Sequence, residues 1–178
     1  MMDAVRIATF LVVLVFLLGG CNRSDYRVLH QGSWGGRVPR PEGPVLLVVR
    51  TPKGEYPLDE RALRRLTWVE LTTVFHPEEK KGTVGVFQGV LLEDLLAEFG
   101  YPNPDRIRFM ALDGYEIAVR WRRIAPYRPM LALYRDGRPL PERYGPVRVI
   151  FPYHRLRPDP VAYNSYWVWK LHRLEILP

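Results

Sequence analysis

From residue 45 onward the apolar positions switch repeatedly between a period of two and a helical period. Val45 to Val49 is a short apolar run closed by the turn Thr51-Pro52-Lys53-Gly54, and it predicts a strand. Leu58-Asp59-Glu60 opens a short helix, with Asp59 as its cap and Glu60 at the positive end. Arg64 and Arg65 lie at the negative end. Thr67 to Phe75 has the β-branched and aromatic content of a strand, followed by a charged loop over 76–82 and a further extended stretch to Gly89. Leu91, Leu92, Leu95, Leu96 and Phe99 then form one helical stripe. Glu93, Asp94 and Glu98 face away from it, and Gly100 ends it.

The remainder reads as β. Ile107 to Leu112 and Tyr115 to Val119 flank Asp113-Gly114, a strong hairpin signal. Leu131 to Tyr134 is a strand closed by a turn at Asp136-Gly137. Val147 to Phe151 is another, and a proline-rich loop follows over 152–160. Trp167 to Leu177 predicts a last strand whose alternation breaks near Arg173, where a bulge would let Leu174 and Ile176 continue the apolar face. Strands outnumber helices and come as hairpins, so the fold class is α+β rather than a doubly wound parallel sheet.

The first 43 residues are different. Met1 to Arg6 is short and polar, Ile7 to Leu18 is almost wholly apolar, and Gly19-Gly20-Cys21 follows. The apolar run suits a signal peptide and falls short of the about 20 residues a membrane span needs. Small residues before a cysteine, with Leu18 ahead, resemble a bacterial lipoprotein box, which implies cleavage before Cys21 and a lipid on its sulfur. The alternative is an ordinary signal or uncleaved anchor with an incidental cysteine. Asn22 at the next position implies outer-membrane sorting in a host with two membranes. Asn22 to Gly43 is rich in Gly, Arg, Pro and Ser without hydrophobic period, and reads as a linker on which Trp34 is a stray or a docking aromatic. The expected division is a signal peptide over 1–20, lipidated Cys21 and flexible linker over 21–43, and one domain over 44–178.

Composition changes this picture in three places. A single cysteine excludes an internal disulfide, so packing must hold the domain. The formal charge is +7 with only four lysines, so arginine dominates. In an exported chain this excludes nucleic acid as a partner and leaves an anionic membrane surface, an anionic ligand or simply a solvated basic face.

Common catalytic signatures are missing. Ser24, Ser33 and Ser165 have no evident base partner, and His30, His76, His154 and His172 are too dispersed for a metal site. His76 and His154 fall in loops, whereas His172 falls on the polar face of the last strand. Arg120, Arg122, Arg123 and Arg128 cluster between two strands and suit phosphate or carboxylate, or a solvated rim. Tyr153, Tyr163, Tyr166, Trp167 and Trp169 are denser than a core requires, as an aromatic shelf for a planar ring would be.

The stretches "FQGVLLEDLLAEFGYP", "ALDGYEIAV", "LALYRDGRPLPERYGPVRVIFPY" and "YWVWKLHRLEIL" follow in that order. As a set they resemble the molybdopterin-binding domain of sulfite oxidase-type oxidoreductases, which implies a compact α+β fold, mostly strands with a few short helices. Enzymes of that family hold molybdenum through a cysteine thiolate on the segment corresponding to residues 68–82. Here that segment has no cysteine and carries Thr72-Thr73 instead. Neutral hydroxyls do not replace a soft thiolate, and a lipidated Cys21 at the far end of a linker would not reach. No metal ligand set or catalytic residue is therefore expected.

The chain is more similar to small exported members of the superfamily with a late Y-x-x-x-x-V-W-x-L motif, matched by Tyr163, Val168, Trp169 and Leu171. Tyr166 and His154 stand where that group often has an arginine and an acid. The resemblance implies a membrane-anchored, non-catalytic module for a pterin without molybdenum or a similar flat heterocycle, working with a membrane signalling protein on the periplasmic face. Its expected ligand-binding residues are Thr73 and His76 near the family's metal position, Asp113 for the aminopyrimidinone edge, and Tyr115, Tyr153 and Trp169 for stacking. Two alternatives stand beside it: a molybdopterin-dependent oxidoreductase, and an envelope adaptor with a vestigial pocket.

Overall fold

The computed structural model describes residues 25–74, 84–153 and 164–177. Eleven strands and three short α-helices follow one another there: β1 (Arg27–His30), β2 (Val45–Thr51), β3 (Gly54–Asp59), α1 (Glu60–Arg64), β4 (Trp68–Val74), β5 (Val84–Leu91), α2 (Leu92–Glu98), β6 (Arg106–Ala111), β7 (Glu116–Arg120), α3 (Trp121–Ile124), β8 (Met130–Arg135), β9 (Arg138–Pro139), β10 (Arg148–Ile150) and β11 (Leu171–Leu177). The α+β expectation is correct, and each strand and helix expected after residue 44 has a counterpart. The sequence reading missed β1, β3, β9 and α3.

Two sheets share one core. The first runs β1-β4-β5-β8-β10, with β9 added on β8, and is antiparallel throughout. The second runs β3-β2-β11-β6-β7, with β11 parallel to β2 and antiparallel to β6. Leu47, Leu58, Phe109, Leu174 and Ile176 of the second sheet and Trp68, Leu71, Phe87, Leu131 and Val149 of the first belong to one buried cluster. An isolated bridge between Val147, just before β10, and Leu171, the first residue of β11, ties the two sheets.

Particular residues set the local geometry. At Gly89 the pairing of β5 with β8 shifts register, and a Cβ there would lie 1.9 Å from the Leu131 carbonyl oxygen. No side chain fits between strands that approach so closely. Asp59 is buried and bridges three amides: one carboxylate oxygen caps α1 at the Ala62 N–H (2.8 Å), and the other accepts from Glu42 and Gly43 (2.7 and 2.9 Å).

The described part of the expected linker, residues 25–43, is not a flexible connection. β1 pairs with β4, and Tyr26 and Trp34 lie in the core. The Tyr26 hydroxyl donates to the Arg128 carbonyl, and the Trp34 indole N–H donates to the Ala62 carbonyl (2.8 Å). Trp34 also meets Phe99 edge to face at 5.4 Å. A polar stretch with two well-placed aromatics can bury enough surface to be held, even without a hydrophobic period. The domain therefore reaches back to at least residue 25, and not only to residue 44.

The last strand is also shorter than expected. Lys170 has a left-handed backbone (φ 49°), so the chain turns there and β11 starts at Leu171. Asn164–Tyr166 forms a 3-10 turn ahead of it. Trp167 and Val168 are consecutive and both buried, while Trp169 is 44% exposed, so the expected in-and-out alternation does not exist there. The bulge near Arg173 is present, as a register shift between Leu171 and Arg173 opposite β6.

Candidate functional site

The turn between β6 and β7 and the segment 164–169 enclose a cleft of about 580 Å³. Its lining is Asp113, Tyr115, Asn164, Ser165, Trp167 and Trp169. The size lies within the range usual for small-molecule sites, and the mix of aromatic faces with a few polar groups is the usual composition.

The hairpin positions the first two residues. Asp113 accepts the Tyr115 backbone N–H at 3.2 Å, closing the turn with a side chain, and Gly114 between them is left-handed (φ 87°). The Tyr115 hydroxyl crosses to the other wall and donates to the Ser165 carbonyl at 2.9 Å. Burial pushes the Tyr115 phenol above its ordinary value, so it stays neutral and able to donate at physiological pH.

The far wall rests on Arg148 of β10, which is fully buried. Its guanidinium lies 5.1 Å from the Trp169 ring and 5.5 Å from the Tyr144 ring, and these two rings are 5.6 Å apart. Cation and aromatics fix one another in place, while Trp169 keeps a substantial surface toward the cleft. Lys170 adds a clasp: its N–H donates to the Tyr144 carbonyl (3.0 Å) and its carbonyl accepts from Leu112 (2.9 Å). Trp167 backs the cleft and packs on Phe151 with ring centroids 5.6 Å apart.

Of the six residues expected to bind a ligand, Asp113, Tyr115 and Trp169 come together in this cleft. Thr73 does not line it. Its side chain is buried, its hydroxyl donates to the Phe151 carbonyl (3.2 Å) and accepts from the Tyr153 N–H (3.0 Å), so it splices β4 to the segment after β10. Tyr153 does not line the cleft either and is packed, half-buried, on the core. His76 lies outside the described residues, as do Cys21, His154 and Tyr163.

Sequence reasoning missed Asn164, Ser165 and Arg148. Arg148 lies in the family-like stretch LALYRDGRPLPERYGPVRVIFPY, but nothing local shows that this charge is buried under Trp169. In the other arginine cluster Arg128 pairs with Glu93 (2.7 Å) and Arg123 lies over Tyr166 (5.9 Å).

Residues 62–157 match the oxidoreductase molybdopterin binding domain, so the chain belongs to that family. The mostly β, few-helix fold agrees with a sulfite oxidase-like domain of this kind. No curated protein matches the chain closely enough to serve as a relative.

The donor set does not fit a thiolate-held molybdenum centre. No described residue is a cysteine, and in the described part of the family's thiolate segment, residues 68–74, the Thr73 hydroxyl is engaged by backbone groups. Among the described residues no group of three or more His, Cys, Asp or Glu is placed to hold a metal ion. Cys21 lies outside the described residues; the chain is described from residue 25, and Tyr26 is already buried. Among the described residues no helix is long and apolar enough to cross a membrane.

Proposed function

We propose that this protein is a non-catalytic binding module for a pterin or similar flat heterocycle, anchored to the cell envelope through a lipid on Cys21. The observation that carries the reading is the cleft itself. It offers an aromatic surface on Trp169, a second ring on Tyr115 and a carboxylate on Asp113 within one cavity of ligand size. An aminopyrimidinone presents two adjacent N–H donors in the geometry of a guanidinium, and a carboxylate accepts such a pair side by side. Arg148 under Trp169 stiffens the stacking platform. Family membership supports a pterin as the heterocycle. The thiol-free segment around Thr73 supports binding without molybdenum redox chemistry.

Such a module suits regulation: ligand occupancy at the rim would be read by a membrane signalling protein. The deciding experiment is to purify the chain from an envelope fraction, denature it, and analyse the released small molecules by mass spectrometry and pterin fluorescence. A pterin near one per chain without molybdenum is the expected result. Stoichiometric molybdenum would replace this reading with an oxidoreductase. An empty protein that also fails to take up added pterins would leave an envelope adaptor whose cleft is vestigial.

A further inference from the structure

A second concave surface, sharing no lining residue with the aromatic cleft, lies under the N-terminal segment. It consists of two adjoining hollows of about 480 and 430 Å³ that have Arg37, Val38, Pro39 and Arg40 in common. One hollow extends to Lys53 and Glu98, the other to Trp34 and Arg65.

The chain builds this wall stiffly. Trp34 is buried, and Gly35 and Gly36 both take left-handed backbone (φ 62° and 80°), a turn closed by the Arg37 N–H to the Trp34 carbonyl (3.3 Å). Arg40 stands between Pro39 and Pro41, whose rings fix the backbone on either side. Arg65 follows α1 directly, at the negative end of that short helix, and Lys53 sits in the turn between β2 and β3.

The charge balance is one-sided. Arg37, Arg40, Lys53 and Arg65 line the groove against one carboxylate, Glu98, which already accepts the Trp34 N–H at 3.0 Å. The nearby acids Glu42 and Glu60 are engaged by Arg61 and Arg64. Elsewhere on the surface Arg27, Arg50, Arg108 and Arg173 each reach a carboxylate. Among the described residues Arg37, Arg40 and Arg65 make no ion pair, although they share one hollow. Like charges gathered in a concavity repel one another, and a multivalent anion relieves that repulsion.

We infer that this groove binds a phosphate-bearing anion, with Arg37, Arg40 and Arg65 donating to phosphoryl oxygens and Lys53 adding a point charge. Planar guanidinium forks match phosphoryl oxygens pairwise, and a single carboxylate would not neutralise four cations. Arg37, Arg40 and Lys53 precede the residues that match the family, whereas Arg65 and Glu98 fall within them. A lipid headgroup and a soluble phosphorylated molecule share this chemistry.

The test uses the full chain in neutral detergent micelles at low salt, titrated with inorganic pyrophosphate by calorimetry. R37Q/R40Q should weaken binding at least about tenfold, since charge-assisted hydrogen bonds are lost. R122Q/R123Q, which removes the same charge from exposed positions on α3, should leave it unchanged. Micelles doped with phosphatidylglycerol, compared with phosphatidylcholine, separate the sources. Displacement of pyrophosphate by the anionic lipid alone identifies a headgroup site. Pyrophosphate binding that the lipid does not disturb identifies a soluble ligand. Should R37Q/R40Q lose the native circular dichroism spectrum, R65Q carries the same comparison. The inference is overturned if neither probe binds, or if R122Q/R123Q weakens binding as much as R37Q/R40Q.

Discussion

Residues 25–43 and residues 164–170 exchange the roles that their compositions assign them. The first stretch is polar and glycine-rich, yet it supplies a strand and two buried aromatics. The second is the most aromatic part of the chain, yet it leaves Trp169 44% exposed beside a cleft. The difference lies in what each indole meets. Trp34 finds a carbonyl for its N–H and the edge of Phe99. Trp169 finds a ring and a cation on Tyr144 and Arg148, and it also lines the cleft. An aromatic residue is structural where partners surround it and available where they cover it only in part.

Truncating the two indoles should separate these roles most clearly. Trp34→Ala should lower unfolding free energy by about 3–5 kcal/mol, the usual cost of emptying a buried aromatic site. Urea unfolding measures it, and a loss below about 1 kcal/mol would mean that the N-terminal segment is not part of the folded unit. Trp169→Ala should do the reverse. Stability should change by less than about 1 kcal/mol, while affinity for an added pterin should fall by about 1–3 kcal/mol, as when a stacking aromatic is removed. Unchanged affinity in a folded variant would remove Trp169 from the site.

A smaller effect is expected at Lys170. Its left-handed backbone costs a non-glycine residue about 1 kcal/mol, so Lys170→Gly should leave the thermal midpoint unchanged or raise it slightly. A clear drop would mean that the lysine side chain holds the 164–170 segment. The smallest effect concerns α1, the ledge under Trp34. Burial pushes the Glu60 carboxyl up, but hydrogen bonds from Tyr134 and Arg64 outweigh it and leave the group below its ordinary value of 4.5. Its contribution is therefore complete above that value and is lost as pH falls through the lowered one. Below about pH 4.5 the urea midpoint should fall less steeply in Glu60→Gln than in the unaltered chain. Parallel curves would show that the exposed Arg64 pair contributes nothing.

The fold was legible where a pattern is local. Asp59 as a cap, the stripe from Leu91 to Phe99 and the turn at Asp113-Gly114 all follow from spacing and residue type, and all are present. What was not legible depends on distant partners. β1 exists because β4 offers it an edge, and α3 is a single turn too short to show a period. The late aromatic set and the hairpin turn supplied the three expected residues that share one cleft, Trp169, Tyr115 and Asp113. Thr73 and Tyr153 lie outside that cleft, and their family position says nothing about the 3.0 Å bond that joins them to each other. Arg148 escaped notice because a buried charge is invisible in a sequence until its neighbours are known.

The position of β11 sets the order of assembly. It is the last of the described strands in the chain, yet it lies in the middle of its sheet, parallel to β2 and antiparallel to β6. Until it arrives, the hairpins β2–β3 and β6–β7 have no strand between them. Leu47 and Phe109, buried in the finished core, then lack the Leu174 and Ile176 that share it. Pairings this far apart in sequence form late and slowly. A sheet wired in this way stays open until β11 has been made.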